Sequence, residues 1–204
     1  MPRRDEKAER CRRQVLDAAL QLFSHQGFGA TSVREIADAA KVSIGALYHH
    51  FPDKETLFRA LLDEYSTIAE TKRFPFTRAL AGGTFPDNLE QLGFAARDTV
   101  QQFRHYMALV YVDVIEFDGT HMRKFYGEMA ARLTGLLEAE GKMDDIRAKL
   151  RPGVSPTSAL LLTSRLFFNY FTLEVLFGVS EPFGKKSADV VREIADILRN
   201  GMIQ

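Results

Sequence analysis

The chain has 204 residues, 46% hydrophobic and 26% charged, with Lys plus Arg and Asp plus Glu each totalling 27. That balance excludes a disordered polymer, and with no net charge the bulk composition does not announce a nucleic-acid partner. The single cysteine, Cys11, excludes a disulfide framework or a cysteine metal site within one chain. Charged residues appear at once, with no apolar core behind them, so no signal peptide is expected and a cytoplasmic location is. The longest apolar stretch, 159–177, is interrupted by Arg165, Asn169 and Glu174. It is expected to be a buried helix and not a membrane span, because charge inside a bilayer is costly.

In chain order, residues 1–13 hold six basic side chains (Arg3, Arg4, Lys7, Arg10, Arg12, Arg13) against three acidic ones. This is either a basic arm for phosphate contacts or a solvated tail. A helix is expected over 7–25, with Val15, Leu16, Ala19, Leu20 and Phe23 as its apolar stripe. Gly27 suits the left-handed residue after its last turn, and Phe28 can fold back as the hydrophobic contact of that cap.

Residues 31–54, TSVREIADAAKVSIGALYHHFPDK, predict two short helices around a tight turn. Ser32 and Glu35 have the spacing of a capping box, and Val33, Ile36, Ala37 and Ala40 share one face. Ser43 is a second N-cap, and Val42, Leu47 and Phe51 are expected to point inward. Helices this short need a third behind them, which is the helix-turn-helix plan, with the second helix entering the DNA major groove. Ile44, Gly45, Ala46, Tyr48, His49 and His50 then remain outward. Tyr48 and the histidines can donate to phosphate oxygens, and Lys54 adds a cation beside the next helix start. The competing reading makes Tyr48 and Phe51 core aromatics and the histidines merely exposed.

The run FGATSVREIADAAKVSIGALYHHFPDKETLFRALL resembles the N-terminal DNA-binding domain of TetR-type transcriptional regulators. The match spans about 13–62 and is most specific over VSIGALYHHFPDKETL. The resemblance implies an all-α homodimer that binds a palindromic operator in double-stranded DNA. Such a protein usually acts as a repressor, releasing DNA when a small molecule enters its C-terminal domain. Thr31 or Ser32, Tyr48, His50 and Lys54 match the family's phosphate-contacting positions. Arg34, Ile44, Gly45 and Ala46 match positions from which members reach base edges. Ile44 departs from the polar residue some members carry, which points to apolar contact with a thymine methyl. The expected organisation is a DNA-binding domain at 1–53, a ligand-binding and dimerisation domain at 54–204, and about nine helices in all.

A fourth helix is expected from 53 to about 72, with Leu57, Phe58, Leu61, Leu62, Tyr65 and Ile68 inward. Residues 74–87, with two prolines and a Gly-Gly pair, predict a loop containing at most one turn at 77–80. From Leu89 to Phe117 apolar residues recur at spacings of three and four. That pattern allows one long helix, and the family pattern favours two with a break near Arg104-His105. The β-branched run 110–115 is not taken as a strand, because no partner strand occurs elsewhere. Helices are expected from about 122 to 141, from Ser155-Pro156 to about 177, and up to 199.

No catalytic, P-loop, dinucleotide-binding or histidine metal motif occurs, so neither an enzyme nor a cofactor is expected. Phe103, Tyr106, Met107, Val110, Tyr111, Val114, Phe125, Tyr126, Met129, Phe168 and Phe171 are side chains of the kind that line apolar pockets. Arg165 and Asn169 are polar interruptions able to orient a head group, and His105 and His121 are weaker candidates. The effector expected is hydrophobic or aromatic; the plain alternative is that these residues are core. The last two helices are apolar nearly all round, so a dimer interface is expected to include Leu166, Phe167, Tyr170, Leu173, Val190, Ile194 and Ile197.

Overall fold

The computed structural model describes residues 4–203 and is built from eleven α-helices, with no strand among those residues. Arg3 of the basic arm lies outside the described residues. The helices are α1 (Arg4–Gln26), α2 (Val33–Ala40), α3 (Ile44–His50), α4 (Lys54–Ala69), α5 (Pro75–Gly82), α6 (Leu89–Gln102), α7 (Arg104–Phe117), α8 (Arg123–Ala139), α9 (Met143–Lys149), α10 (Pro156–Phe171) and α11 (Ser187–Met202). A π-helical turn, Thr172–Leu176, follows α10. Two compact units result: the described residues up to Thr67 with His105–Phe125, and Ile68–Arg104 with Tyr126 onward. The division does not fall at 53/54.

In the first unit the stripes expected of α1 and α4 are the core. Val15, Leu16, Ala19, Leu20 and Phe23 are buried, as are Leu57, Phe58, Leu61, Leu62 and Tyr65. Phe28 packs within 5.5 Å, centroid to centroid, of Phe23, Phe58 and Phe117, and Gly27 adopts φ +85° to turn the chain there. Arg13 donates to both oxygens of Glu64, at 2.6 and 2.8 Å, and also meets Asp17 at 2.7 Å. Burial works against this guanidinium's charge, but the two carboxylates outweigh it and raise its pKa. Tyr106 donates to the same Glu64 at 2.9 Å; burial, then the nearby carboxylate, push its phenol up to about 12.

In the second unit α6 is central, packing on α5, α10 and α11. Gly93 permits this: a Cβ there would stand 2.7 Å from the Phe167 ring and 2.7 Å from a Val191 methyl. Two expectations about elements need correction. The 74–87 stretch holds a two-turn helix, α5, because Pro75 suits its first turn and Phe76, Thr77, Leu80 and Ala81 are buried against α6. Helix α9 occupies a stretch for which the apolar pattern predicts no element; it has one buried anchor, Ile146. The described residues hold eleven α-helices, where about nine are expected. The break between α6 and α7 falls at Phe103, beside the expected position.

Residues 156–176 are long and apolar enough to cross a membrane. They carry Arg165 and Glu174, and bury Ala159, Leu160, Thr163, Phe167 and Phe171 within the second unit.

Candidate nucleic-acid interface

The α2–turn–α3 segment is held by local hydrogen bonds that its sequence specifies. Ser32 Oγ accepts the Glu35 N–H at 3.2 Å, and Glu35 Oε2 accepts the Ser32 N–H at 2.7 Å, closing the capping box. Those bonds hold the Glu35 carboxyl below its ordinary range. At the other end Lys41 takes a left-handed conformation, φ 57°, and its N–H donates to the carbonyls of Ala37 and Asp38. Ser43 Oγ then accepts the Ala46 N–H at 3.1 Å and starts α3.

Only Leu47 of α3 is buried. Ile44 and Tyr48 are 43% and 46% exposed, so Tyr48 is not a core aromatic. Ser43, Gly45 and His49 are exposed with them, and Ala46 and His50 are half-buried. Arg34 projects from α2 into solvent. Six of the expected DNA-facing residues (Arg34, Ser43, Ile44, Gly45, Tyr48, His49) are thus exposed on α2, the turn and α3. Phe51 is core, 3% exposed, with the Arg12 guanidinium 5.6 Å from its ring centroid.

Three other residues have internal partners. Thr31 is buried, and its hydroxyl donates to the Gly27 carbonyl at 2.7 Å. Ser32 is committed to its cap, although exposed. Lys54 Nζ donates to the carbonyls of Phe28 (2.7 Å) and Thr31 (2.8 Å) and lies 4.2 Å from the Phe28 ring centroid. Its cation ties α4 to the corner between α1 and α2. Asp53 Oδ1 accepts the Thr56 N–H at 2.6 Å as the cap of α4, which lowers its pKa. In the basic N-terminal segment, Arg13 is paired internally and Arg12 lies 3.7 Å from Glu9, while Lys7 and Arg10 are exposed.

The residues expected to bind ligand are divided between burial and exposure. Phe103, Tyr106, Met107, Phe125 and Phe171 are buried; Val110, Met129 and Phe168 are half-buried; Tyr111, Val114, Arg165 and Asn169 are exposed. Phe168 packs against Phe74 and Phe76, and Arg165 stacks on Tyr126 at 5.2 Å.

The residues expected at a dimer interface also divide. Phe167, Tyr170, Val190 and Ile194 are buried within the chain's own second unit, with Phe167 beside Gly93. Their side chains are therefore not free to meet a second copy. Leu173 is half-buried, and Leu166 and Ile197 are 44% and 63% exposed. Phe177, at the end of the all-round apolar run, is exposed, as is Leu162, which lies before that run.

Residues 15–61 match the family model for bacterial regulatory proteins of the tetR family. The chain is 34% identical over 126 residues to the HTH-type transcriptional regulator AcrR of Shigella flexneri, covering 61% of this chain and 55% of AcrR. It is 49% identical over 51 residues to the HTH-type transcriptional repressor KstR2 of Rhodococcus jostii, a quarter of each chain. It thus spans about half the length of one curated relative and a quarter of the other. A crystal structure of a TetR family transcription regulator from Marinobacter aquaeolei superposes with a TM-score of 0.69, at 18% identity, over 98% of this chain and 99% of that one. At that identity the likeness is one of fold.

Proposed function

We propose that the chain, whose residues 15–61 match the model for bacterial regulatory proteins of the tetR family, is a ligand-responsive transcriptional repressor of that family. It binds a palindromic operator in double-stranded DNA as a cytoplasmic homodimer, without enzymatic activity. The observation that carries this reading is the outer side of α3, where Ile44, Gly45, Tyr48 and His49 are exposed on a helix fixed by a single buried leucine. Small residues at the start of the helix let it approach base edges, and Tyr48 donates to a phosphate. Arg34 reads a base from α2. A two-fold pair presents two such helices about 34 Å apart, or a multiple of that, matching successive major grooves. The repressor role is supported by the name of the KstR2 relative, 49% identical over 51 residues.

The effector is hydrophobic or aromatic, as the density of Phe, Tyr and Met between 103 and 171 suggests. Release requires that it bind the DNA-incompetent state more tightly than the competent one, because equal affinity shifts nothing. A coupling of about 1–3 kcal/mol weakens operator binding roughly 5- to 150-fold.

A mobility shift on duplexes from the region upstream of the chain's own gene tests the reading, with light scattering for the dimer. Arg34→Ala should relax preference at one base pair. Equal loss on specific and scrambled DNA would remove Arg34 from the base-reading set, and a monomer that shifts no duplex would end the proposal.

A further inference from the structure

The corner between α1 and α2 contains two successive backbone N–H groups, of Phe28 and Gly29, that point the same way. Both are taken by one side chain 87 or 88 residues further along: Glu116 Oε1 accepts from Phe28 at 2.8 Å and Glu116 Oε2 from Gly29 at 2.6 Å. Paired amides of this kind form an anion-binding concavity, and a bidentate carboxylate is a strong occupant of it. The corner is shaped for that carboxylate. A Cβ on Gly27 would lie 3.0 Å from Oε1, and one on Gly29 would lie 3.0 Å from Oε2, so both flanking residues lack the side chain that would crowd it.

Glu116 is presented from a firm base. Its neighbour Phe117 stacks on Phe58 at 5.1 Å and meets Phe28 edge-on at 4.8 Å. One helical turn earlier, fully buried Asp113 is 2.6 Å from His121 Nδ1 and accepts the Met122 N–H at 3.0 Å, fastening the end of α7 to the turn that follows it. The same corner is gripped from α4 by Lys54 through the carbonyls of Phe28 and Thr31. Thus a carboxylate from α7 holds its amides while an ammonium from α4 holds its carbonyls. The next residue, Ser32, is the N-cap of α2.

We propose that Glu116 is a positioning residue for DNA recognition: its carboxylate, bound to the Phe28 and Gly29 amides, fixes the α1–α2 corner and with it the pose of the α2–α3 reader. This rests on reading α2–α3 as the DNA-contacting pair. Glu116 is itself exposed, so it contributes little apolar packing, and its part is carried by the acceptor oxygens. Freed of it, the corner samples more conformations, and a reader that must be ordered on binding loses specific affinity first.

The test compares wild type with Glu116→Leu and Glu116→Gln in the full-length chain. Amide exchange at Phe28 and Gly29 is followed by NMR, and binding to an operator duplex and a scrambled one is measured by anisotropy at one salt concentration. For Glu116→Leu, exchange at both amides should rise and the operator-to-scrambled affinity ratio should fall by about tenfold, the scale of one lost charge-assisted contact. Scrambled-duplex affinity should stay near wild type, while Tm falls modestly with the lost contact. Glu116→Gln keeps one acceptor oxygen and should fall between. Gly29→Ala, which crowds Oε2 while leaving Glu116 in place, should give a smaller loss in the same direction. Unchanged exchange overturns the clamp. Faster exchange with an unchanged ratio, or equal weakening on both duplexes with a lower Tm, overturns the positioning role. A wild-type protein with no preference for its promoter sinks the DNA reading and this role with it, whereas a wild-type preference that survives Glu116→Leu sinks only the role of Glu116.

Discussion

Helices α3 and α10 are held in place by different means. Helix α10 buries eight of its sixteen residues, including Phe167, Tyr170 and Phe171, so its position follows from its own side chains. Helix α3 buries one of seven, and its position is imposed by Leu47, the Ser43 cap, and contacts with α1 and α2. A helix of two turns is not stable alone. The difference teaches where function can reside: a helix located by its neighbours leaves its surface available for another molecule, and one located by its own bulk does not.

Substitutions sharpen that contrast. Leu47→Ala should cost about 2–5 kcal/mol, as other buried leucines do, and should abolish DNA binding with it; urea denaturation measures the first and anisotropy the second. A cost under about 1 kcal/mol would mean that α3 is anchored some other way. Lys54→Met should cost about 1.5–3 kcal/mol through its two carbonyl partners and leave the salt dependence of DNA binding unchanged. If Lys54 instead contacts a phosphate, the slope of log affinity against log salt falls by about one. Gly93→Ala raises helix propensity by about 1 kcal/mol, yet the added methyl meets Phe167 and Val191 at 2.7 Å. The net outcome should be a loss of about 1–3 kcal/mol, seen as a lower urea midpoint.

On the outer side of α3 the prediction reverses. Tyr48→Phe should change stability by less than about 0.5 kcal/mol while weakening binding to all duplexes alike. The smallest effect concerns acid. The Glu35 carboxyl is depressed by its bonds to Ser32, so its contribution is present above the unfolded-state pKa and is lost as pH falls through the lower folded value. Glu35→Gln should flatten that part of the acid unfolding curve, measured by circular dichroism.

What could be read from the sequence was local. The capping box at Ser32 and Glu35, the Ser43 cap, and the three-and-four spacing of α1 and α4 are relations within a turn or two, and they appear directly in the order of residues. Helix α5 was obscured because Gly82-Gly83 and Pro86 mark a loop more strongly than Pro75 marks a helix start. The partners of Lys54 are 23 and 26 residues away, and those of Glu116 are 87 and 88. No periodicity reports contacts of that span. For the same reason an all-round apolar helix such as α10 did not disclose which of its sides met its own chain. Phe167 and Val190 looked as suitable for an interface as Leu166 and Ile197 did, until Gly93 was seen to admit α10 and α11 against α6.

The first unit takes in 105–125 as well as the N-terminal helices, and this bears on how the molecule can be cut. A fragment stopping at Thr67 would leave Phe28 and Phe58 without Phe117, the Phe28 and Gly29 amides without their acceptor, and Glu64 without Tyr106. Grafting this unit onto another protein would therefore mean transplanting two separate stretches of sequence. A hybrid joined only at the end of α4 would inherit a head whose side chains lack the counterparts they pack against.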